Sequence, residues 1–152
     1  MVDRDLIIAK AALVKKHVNR IQKKRGKDIK SFLTDQDLQD IVSFNLHTAI
    51  QNCIDIAAHI ISEKGLGVPG SVSEMFYTLE ENGYLSAEMT EKMIKAVGLR
   101  NLIVHEYGKI DLKRVFKVIH EDVKDLSEFL IEIFQKLEIS NSSINENNRV
   151  RT

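Results

Sequence analysis

The chain has 152 residues, of which 29% are charged and 43% hydrophobic, and its 22 Lys and Arg residues balance 22 Asp and Glu residues. This length suits one domain with a real core, and a net charge of zero argues against a protein that coats nucleic acid through charge alone. The single cysteine, Cys53, excludes an internal disulfide and a thiolate metal cluster.

The N-terminal segment MVDRDLIIAK lacks the long apolar core of a signal peptide. No run of about 18 apolar residues is present to span a bilayer. The sequence therefore predicts a cytoplasmic protein with no membrane segment.

Two long helices are predicted before the first strong break in the chain. The first ends near Gly26 and has one apolar stripe, formed by Ile7, Ala11, Val14, Val18 and Ile21. Thr34 and Asp37 resemble a capping box at the start of the second. The second helix continues the same spacing with Leu38, Ile41, Val42, Leu46, Ala49, Ile50, Cys53, Ala57, Ile60 and Ile61. The Gly- and Pro-rich segment KGLGVPGS then ends it.

Three more helices are predicted after this loop. Ser71 and Glu74 form a capping box for a short helix that ends at Gly83. Ser86 caps the next helix. Gly108 is predicted to end this helix in the left-handed conformation that often follows a helix C-terminus. Asp111 caps the last one, whose apolar positions are Leu112, Val115, Phe116, Ile119, Val123, Leu126, Leu130, Ile133, Phe134 and Leu137.

This pattern predicts an all-α protein, an up-and-down antiparallel four-helix bundle with one extra short helix. The helical domain is predicted to span residues 1–138. The remaining residues, 139–152, are polar and aperiodic, which predicts a disordered tail.

Polar chemistry is concentrated in the segment MIKAVGLRNLIVHEYGKIDL, residues 93–112. Asn101 and His105 are four residues apart and share a helix face, while Arg100 and Tyr107 lie on a neighbouring line. The free carbonyls and the dipole at a helix C-terminus stabilise a protonated His105 ring, and Arg100 offers a planar fork for phosphate. This set suits RNA cleavage without a metal or a cofactor, because it offers a proton-transfer group beside a cation.

The same residues have a simpler interpretation. A histidine at a helix end is more often a cap or a surface group, Arg100 could pair with Glu106, and the Tyr107 ring could belong to the core. The other four histidines show no metal-ligand spacing.

The segment RNLIVHEY resembles the R-x-x-x-x-H-x-Y motif of the HEPN superfamily, specifically of the HepT-like toxins. The flanking block VGLRNLIVHEYGKID and the second helix LHTAIQNCIDIAAHIIS with its Gly/Pro loop are similar as well. The resemblance covers about residues 5–137.

The resemblance implies a HEPN helical bundle that forms a homodimer with both motifs at a shared cleft. It implies a metal-independent endoribonuclease toxin acting on RNA, encoded beside a minimal nucleotidyltransferase antitoxin that transfers AMP to the motif tyrosine. Arg100 and His105 are then the catalytic pair, Asn101 supports them, and Tyr107 is the modified residue. Asp40 and Asn45 are candidates for a further polar residue from the second helix.

Two questions stay open at the level of sequence. The chain could be a non-catalytic HEPN bundle that binds a nucleotide or serves as a partner subunit of a nucleotidyltransferase. The basic stretch from Lys15 to Lys30, with eight Lys or Arg residues and one acid, could be a solvated face, an RNA-binding strip or a docking surface for an acidic antitoxin.

A homodimer is preferred over a monomer, because one chain supplies a single motif histidine whereas 2′-hydroxyl attack uses both a base and an acid.

Overall fold

The computed structural model describes residues 2–140 and 142–144, and this part of the chain is predominantly helical with short connections. The α-helices are α1 (Arg4–Lys24), α2 (Ile29–Thr34), α3 (Gln36–Lys64), α4 (Val72–Glu81), α5 (Ala87–His105), α6 (Leu112–Lys117) and α7 (Lys124–Leu137). A 3₁₀ turn (Tyr107–Lys109) follows α5, and a π-helical turn (Val118–Asp122) joins α6 to α7. The described residues contain no β-strand, so the predicted all-α class is confirmed.

The long helices α1, α3, α5 and the α6–α7 segment form the bundle. Helix α1 packs along α3, α5 lies against α3 and α7, and α7 also contacts α1. The predicted extra short helix is α4, which packs on α3 and α5. Because the long helices alternate in direction, the end of α1, the start of α3, the end of α5 and the start of α6 lie at one end of the bundle. We call this the motif end.

The predicted apolar stripes form the core. All five stripe residues of α1 are at most 2% exposed, and so are most of the predicted apolar positions of α3. Phe76 of α4 stacks edge-to-face on Phe129 of α7, with 5.9 Å between ring centroids. Burial of these side chains, at about 25 cal/mol for each Å² of apolar surface, is the main force that holds the helices together.

Most of the predicted helix starts are correct. The hydroxyl groups of Ser71 and Ser86 accept hydrogen bonds from the backbone N–H groups of Glu74 and Met89, both at 3.1 Å. The Asp111 carboxylate accepts one from the Lys113 N–H at 3.0 Å. These bonds satisfy N–H groups that a helix start leaves without partners.

The predicted start of α3 is wrong by one residue. Asp35, not Thr34, is the capping residue, and its carboxylate accepts a hydrogen bond from the Leu38 N–H at 3.1 Å. Thr34 instead ends α2, a helix that the sequence analysis did not predict. Helix α2 forms because Asp28 caps it and Phe32 is fully buried against the ring of Phe116.

The last predicted helix is not uniform, because the π-helical turn interrupts it. The Val123 N–H donates to the Val118 carbonyl at 2.9 Å, one residue further back than in an α-helix. His120 lies inside this turn, with its ring nitrogens 2.9 Å from the Phe116 carbonyl and 2.7 Å from the Gly26 carbonyl. These contacts attach the turn to the loop after α1.

The C-terminal segment departs from its polar sequence in one respect. Ile139 and Ile144 are 9% and 3% exposed and belong to the core. Residues 141 and 145–152 lie outside the described residues. The domain boundary at residue 138 and the disordered tail stay predictions.

None of the helices in the described part of the chain combines the length and apolar character needed to cross a membrane.

Candidate active site

The motif residues lie at the C-terminal end of α5, but the helix ends earlier than predicted. Its last residue is His105, and the Glu106 N–H still donates to the Leu102 carbonyl at 2.9 Å. Gly108 is in the 3₁₀ turn and does not adopt the predicted left-handed conformation. Tyr107 therefore lies beyond the helix, where it is free of the helix face and reaches across to α3.

The Tyr107 hydroxyl donates a hydrogen bond to the Asp40 carboxylate. The same carboxylate oxygen accepts a hydrogen bond from the Gln36 side-chain amide at 2.9 Å. These bonds join the motif turn to the first two turns of α3. Of the two residues predicted from the second helix, Asp40 is therefore next to the motif.

The two partners change each other's proton affinity. The hydrogen bond from Tyr107, followed by the one from Gln36, lowers the pKa of Asp40. Partial burial raises the pKa of Tyr107, and the bond and negative charge of Asp40 raise it further, while the nearby Ser43 hydroxyl lowers it. Asp40 thus stays ionised and Tyr107 stays a neutral hydrogen-bond donor near pH 7.

We expect Asp40→Asn to lower the pKa of Tyr107, because an amide keeps the size of the side chain but removes the negative charge that disfavours phenolate. In the native chain a larger fraction of Tyr107 should be protonated at pH 10 than of a free tyrosine, whose pKa is 10. The measurement is a pH titration of the chain with ¹³C-labelled tyrosine, followed by NMR.

Glu91→Gln is the matched control for this titration. The Tyr77 hydroxyl donates to Glu91 at 3.1 Å, and this bond raises the pKa of Tyr77. Glu91→Gln should therefore lower the pKa of Tyr77 and leave that of Tyr107 unchanged. An unchanged Tyr107 titration in Asp40→Asn would show that the bond to Asp40 does not form in solution.

A groove of about 390 Å³ runs between α3 and the end of α5. Its α3 side is one helix face, because Asp40, Ser43, Phe44 and His47 follow the spacing of three and four residues. The groove is lined by Asp40, Ser43, Phe44, His47, Ile103, Val104 and Tyr107. Ser43, Phe44 and His47 were not predicted, because the rotation of α3 against α5 determines which of its faces lines the groove.

Arg100 is half-buried beside this groove. Its positive charge contributes to a lowered pKa of His47, for which burial is the larger cause. The buried Nε of Arg100 and Nδ1 of His47 have no hydrogen-bond partner among the described residues. Because unpartnered buried polar atoms are costly, a ligand or water at the groove would stabilise both.

His105 and Asn101 share the exposed face of the last turns of α5, as predicted. Neither side chain has a hydrogen-bond partner among the residues that the structure describes, so both are free to contact a ligand. The imidazole of His105 is thus accessible at a helix C-terminus, close in sequence to both Arg100 and Tyr107.

Asn45, the other residue predicted from the second helix, lies away from the groove. It is 2% exposed, its carbonyl oxygen is 2.8 Å from Nδ1 of His17 on α1, and its amide donates to the Ile41 carbonyl at 2.7 Å. These contacts hold α1 against α3. Asp40 therefore stays the second-helix candidate.

The remaining histidines have structural contacts. The Nε2 atom of His59 accepts a hydrogen bond from the Asp3 N–H at 3.0 Å, and His120 belongs to the π-helical turn. In residues 2–140 and 142–144, no three His, Cys, Asp or Glu side chains are grouped in a way that could hold a metal ion.

A second cavity of about 470 Å³ lies between α3, α5 and the π-helical turn. In its lining, Lys92 lies 3.7 Å from Asp125 and Lys117 lies 4.0 Å from Glu121. Burial raises the pKa of Asp125 even though Lys92 acts against it. The groove at the end of α5 is the stronger candidate, because it holds the motif tyrosine and the unpartnered Nδ1 of His47.

Comparison with known proteins gives the same family as the motif. Residues 14–133 match the family described as Ribonuclease HepT-like. The mRNA nuclease HepT of Shewanella oneidensis is 37% identical over 126 residues, which cover 83% of this chain and 94% of the relative. The tRNA nuclease HepT of Aphanizomenon flos-aquae is 29% identical over 114 residues, which cover 75% of this chain and 78% of the relative.

The fold is also similar to that of solved structures. The tri-AMPylated Shewanella oneidensis HEPN toxin in complex with MNT antitoxin superposes with a TM-score of 0.81 at 37% identity. The superposition covers 86% of this chain and 98% of that one. The match of most of the chain to the family, together with these relatives, shows that this protein belongs to the HepT-like ribonuclease family.

Proposed function

We propose that this chain is the toxin of a toxin–antitoxin pair and acts as a metal-independent endoribonuclease. The observation that carries the proposal is the hydrogen bond from Tyr107 to Asp40 of α3, which joins the turn directly after His105 to the groove between α3 and α5. The related nucleases and the toxin–antitoxin complex support it. Cytoplasmic localisation belongs to the same proposal.

Cleavage proceeds by attack of a ribose 2′-hydroxyl on the adjacent phosphorus. His105 takes the 2′-hydroxyl proton, and the 2′ oxygen then bonds to phosphorus as the bond to the 5′ oxygen breaks. Arg100 stabilises the negative charge on the phosphate oxygens, with Asn101 as a further polar contact. A second His105, from the other copy of a homodimer, donates the proton to the departing 5′ oxygen, which leaves a 2′,3′-cyclic phosphate and a 5′-hydroxyl.

The antitoxin is a nucleotidyltransferase that attaches AMP to Tyr107. The Tyr107 side chain is 40% exposed at the end of the groove, so another enzyme can reach its hydroxyl. The added phosphodiester would place a negative charge beside the substrate-binding cations, where it competes with the RNA phosphate. The tri-AMPylated state of the related toxin supports this assignment.

An exposed apolar patch next to the motif supports the homodimer. Phe44 is 62% exposed, Val104 is 45% exposed and Tyr107 is 40% exposed, and all three line the groove. Clustered apolar side chains of this size mark interaction surfaces more often than scattered ones do. A two-fold axis beside Phe44 and Val104 would bury these two side chains and bring two motifs together, with the Tyr107 hydroxyl left at the open end of the cleft.

We expect Phe44→Asp to shift the chain from dimer to monomer and to abolish RNA cleavage, because a carboxylate would be buried without a partner at the interface. Phe44→Ala should weaken the dimer, so its activity per chain should rise with protein concentration, whereas that of the native chain stays constant. Light scattering and cleavage of a single-stranded RNA measure both effects on the same samples.

Val68→Asp is the matched control for this experiment, since Val68 is 99% exposed in the loop after α3 and away from the motif. It should leave both the molar mass and the activity unchanged. A native chain that is monomeric at micromolar concentration yet active would contradict the dimer. A native chain that leaves RNA intact would contradict the proposed ribonuclease.

A further inference from the structure

The zero net charge of the chain hides a strong separation of charge along the bundle. The motif end, residues 14–40 and 98–124, carries 14 Lys and Arg residues against 8 Asp and Glu residues. The rest of the described chain carries 6 against 13. A neutral protein with this arrangement presents a positive field at one end and a negative field at the other.

Half of the eight acids of the motif end have hydrogen bonds within the fold. Asp28, Asp35 and Asp111 cap helices through bonds to backbone N–H groups, and Asp40 accepts the bond from Tyr107. The lysines of this end are much less engaged. Among the described residues, its single ion pair within 4.0 Å joins Lys117 to Glu121, both exposed, and exposed pairs of this kind contribute little.

Five exposed lysines lie on the two segments that meet at the π-helical turn. Arg25 donates a hydrogen bond to the Ile119 carbonyl at 3.0 Å, and His120 contacts the Gly26 carbonyl, so the end of α1 is fixed against the α6 segment. We call these five lysines the basic rim: Lys23, Lys24, Lys27, Lys113 and Lys117.

The basic rim is close to the motif along the chain. Lys113 follows His105 by eight residues, so even a fully extended backbone would separate them by no more than about 28 Å. The 3₁₀ turn and the start of α6 shorten this distance. An RNA strand held at His105 can therefore continue across α6 toward the loop after α1.

The composition of the rim favours a polyanion over a protein partner. Protein interfaces have an apolar centre, and the most exposed large apolar side chains of the motif end, Phe44, Val104 and Tyr107, line the groove and not the rim. Beside the rim, Ile29 alone among the described large apolar side chains is exposed, at 37%. Lysines on long flexible stems bind phosphates as point charges without requiring a fixed partner geometry.

We propose that the basic rim binds the phosphates of the RNA strand beyond the cleaved position and so holds the substrate across the motif end. This inference rests on the proposed ribonuclease function and adds a binding surface to it. The rim carries no base-reading geometry, so it should contribute affinity with little sequence preference.

The test uses His105→Ala as the parent, so that a fluorescent single-stranded RNA of about 12 nucleotides stays intact during binding. The double variant Lys113→Gln, Lys117→Gln should bind the RNA about tenfold more weakly at about 150 mM salt. Each lost phosphate contact removes part of the favourable free energy that comes from counterion release. The plot of log Kd against log salt concentration should become shallower by about 1.4 for two contacts on a single strand.

The double variant Lys64→Gln, Lys136→Gln is the control, because it removes two exposed lysines that lie outside the motif end, in the part of the chain with an excess of acids. It should leave the Kd and the salt slope near those of the parent. An equal Kd for RNA and an equal salt slope for the rim variant and the control would overturn the proposal. A rim variant that still binds RNA but no longer binds the antitoxin would also overturn it. If the chain with native His105 cleaves RNA in that case, the proposed function still stands. A chain that neither binds nor cleaves RNA would overturn both.

Discussion

His105→Ala should reduce RNA cleavage by about 10²- to 10⁴-fold, because it removes the group that accepts and donates the proton in the transition state. Arg100→Ala should have an effect of similar size. Arg100→Lys should recover little, since an ammonium cannot form the planar two-point contact with phosphate. Initial rates of cleavage of a labelled single-stranded RNA give these values directly.

The His105 substitution should leave stability almost unchanged. Its ring is exposed and has no hydrogen-bond partner among the described residues, and surface changes of this type stay within about 0.5 kcal/mol. Glu106→Gln, at the next residue, is the control and should keep both activity and stability. Full activity of His105→Ala would show that the reaction does not use this histidine.

Tyr107→Phe should prevent modification by the cognate nucleotidyltransferase in the presence of ATP and Mg²⁺. Phenylalanine keeps the ring and removes the hydroxyl that would attack the α-phosphate of ATP, with pyrophosphate as the leaving group. The modified native chain should be inactive without unfolding, because the attached phosphodiester occupies the groove and competes for Arg100. Intact-mass analysis after co-expression measures the modification.

Tyr77→Phe is the matched control, since Tyr77 is 42% exposed and its hydroxyl is also bonded to a carboxylate, that of Glu91. This variant should accept AMP as the native chain does. An equal mass increase on Tyr107→Phe would show that a different residue is the target.

The sequence was sufficient to predict the bundle because its apolar spacing is regular. The stripe from Ile7 to Ile21 and the caps at Ser71, Ser86 and Asp111 are all found as predicted. Helix α2 was missed because it is only six residues long and depends on the burial of Phe32 under Phe116. The π-helical turn was missed because its cause, the contact of His120 with Gly26, joins residues 94 positions apart.

The candidate site was predictable only on one of its two helices. The motif places Arg100, Asn101 and His105 on the last turns of α5, where the local helical repeat determines their faces. The α3 side of the site depends on the rotation of α3 about its axis relative to α5. In this rotation Asp40, Ser43 and His47 face the groove, and Asn45 faces His17. The exposure of Phe44 also depends on tertiary packing, so the apolar patch could not be identified from spacing alone.

One cleavage assay distinguishes 2′-hydroxyl attack at the Arg100–His105 site from other routes of RNA cleavage. Purified unmodified chain is incubated in EDTA with a single-stranded RNA and with the same strand carrying a 2′-deoxy sugar at the cleaved position. We expect the all-ribose strand to be cut to a 2′,3′-cyclic phosphate and a 5′-hydroxyl, and the deoxy strand to stay uncut at that position. Cleavage of both strands at the same position, or loss of all cleavage in EDTA, would contradict this mechanism.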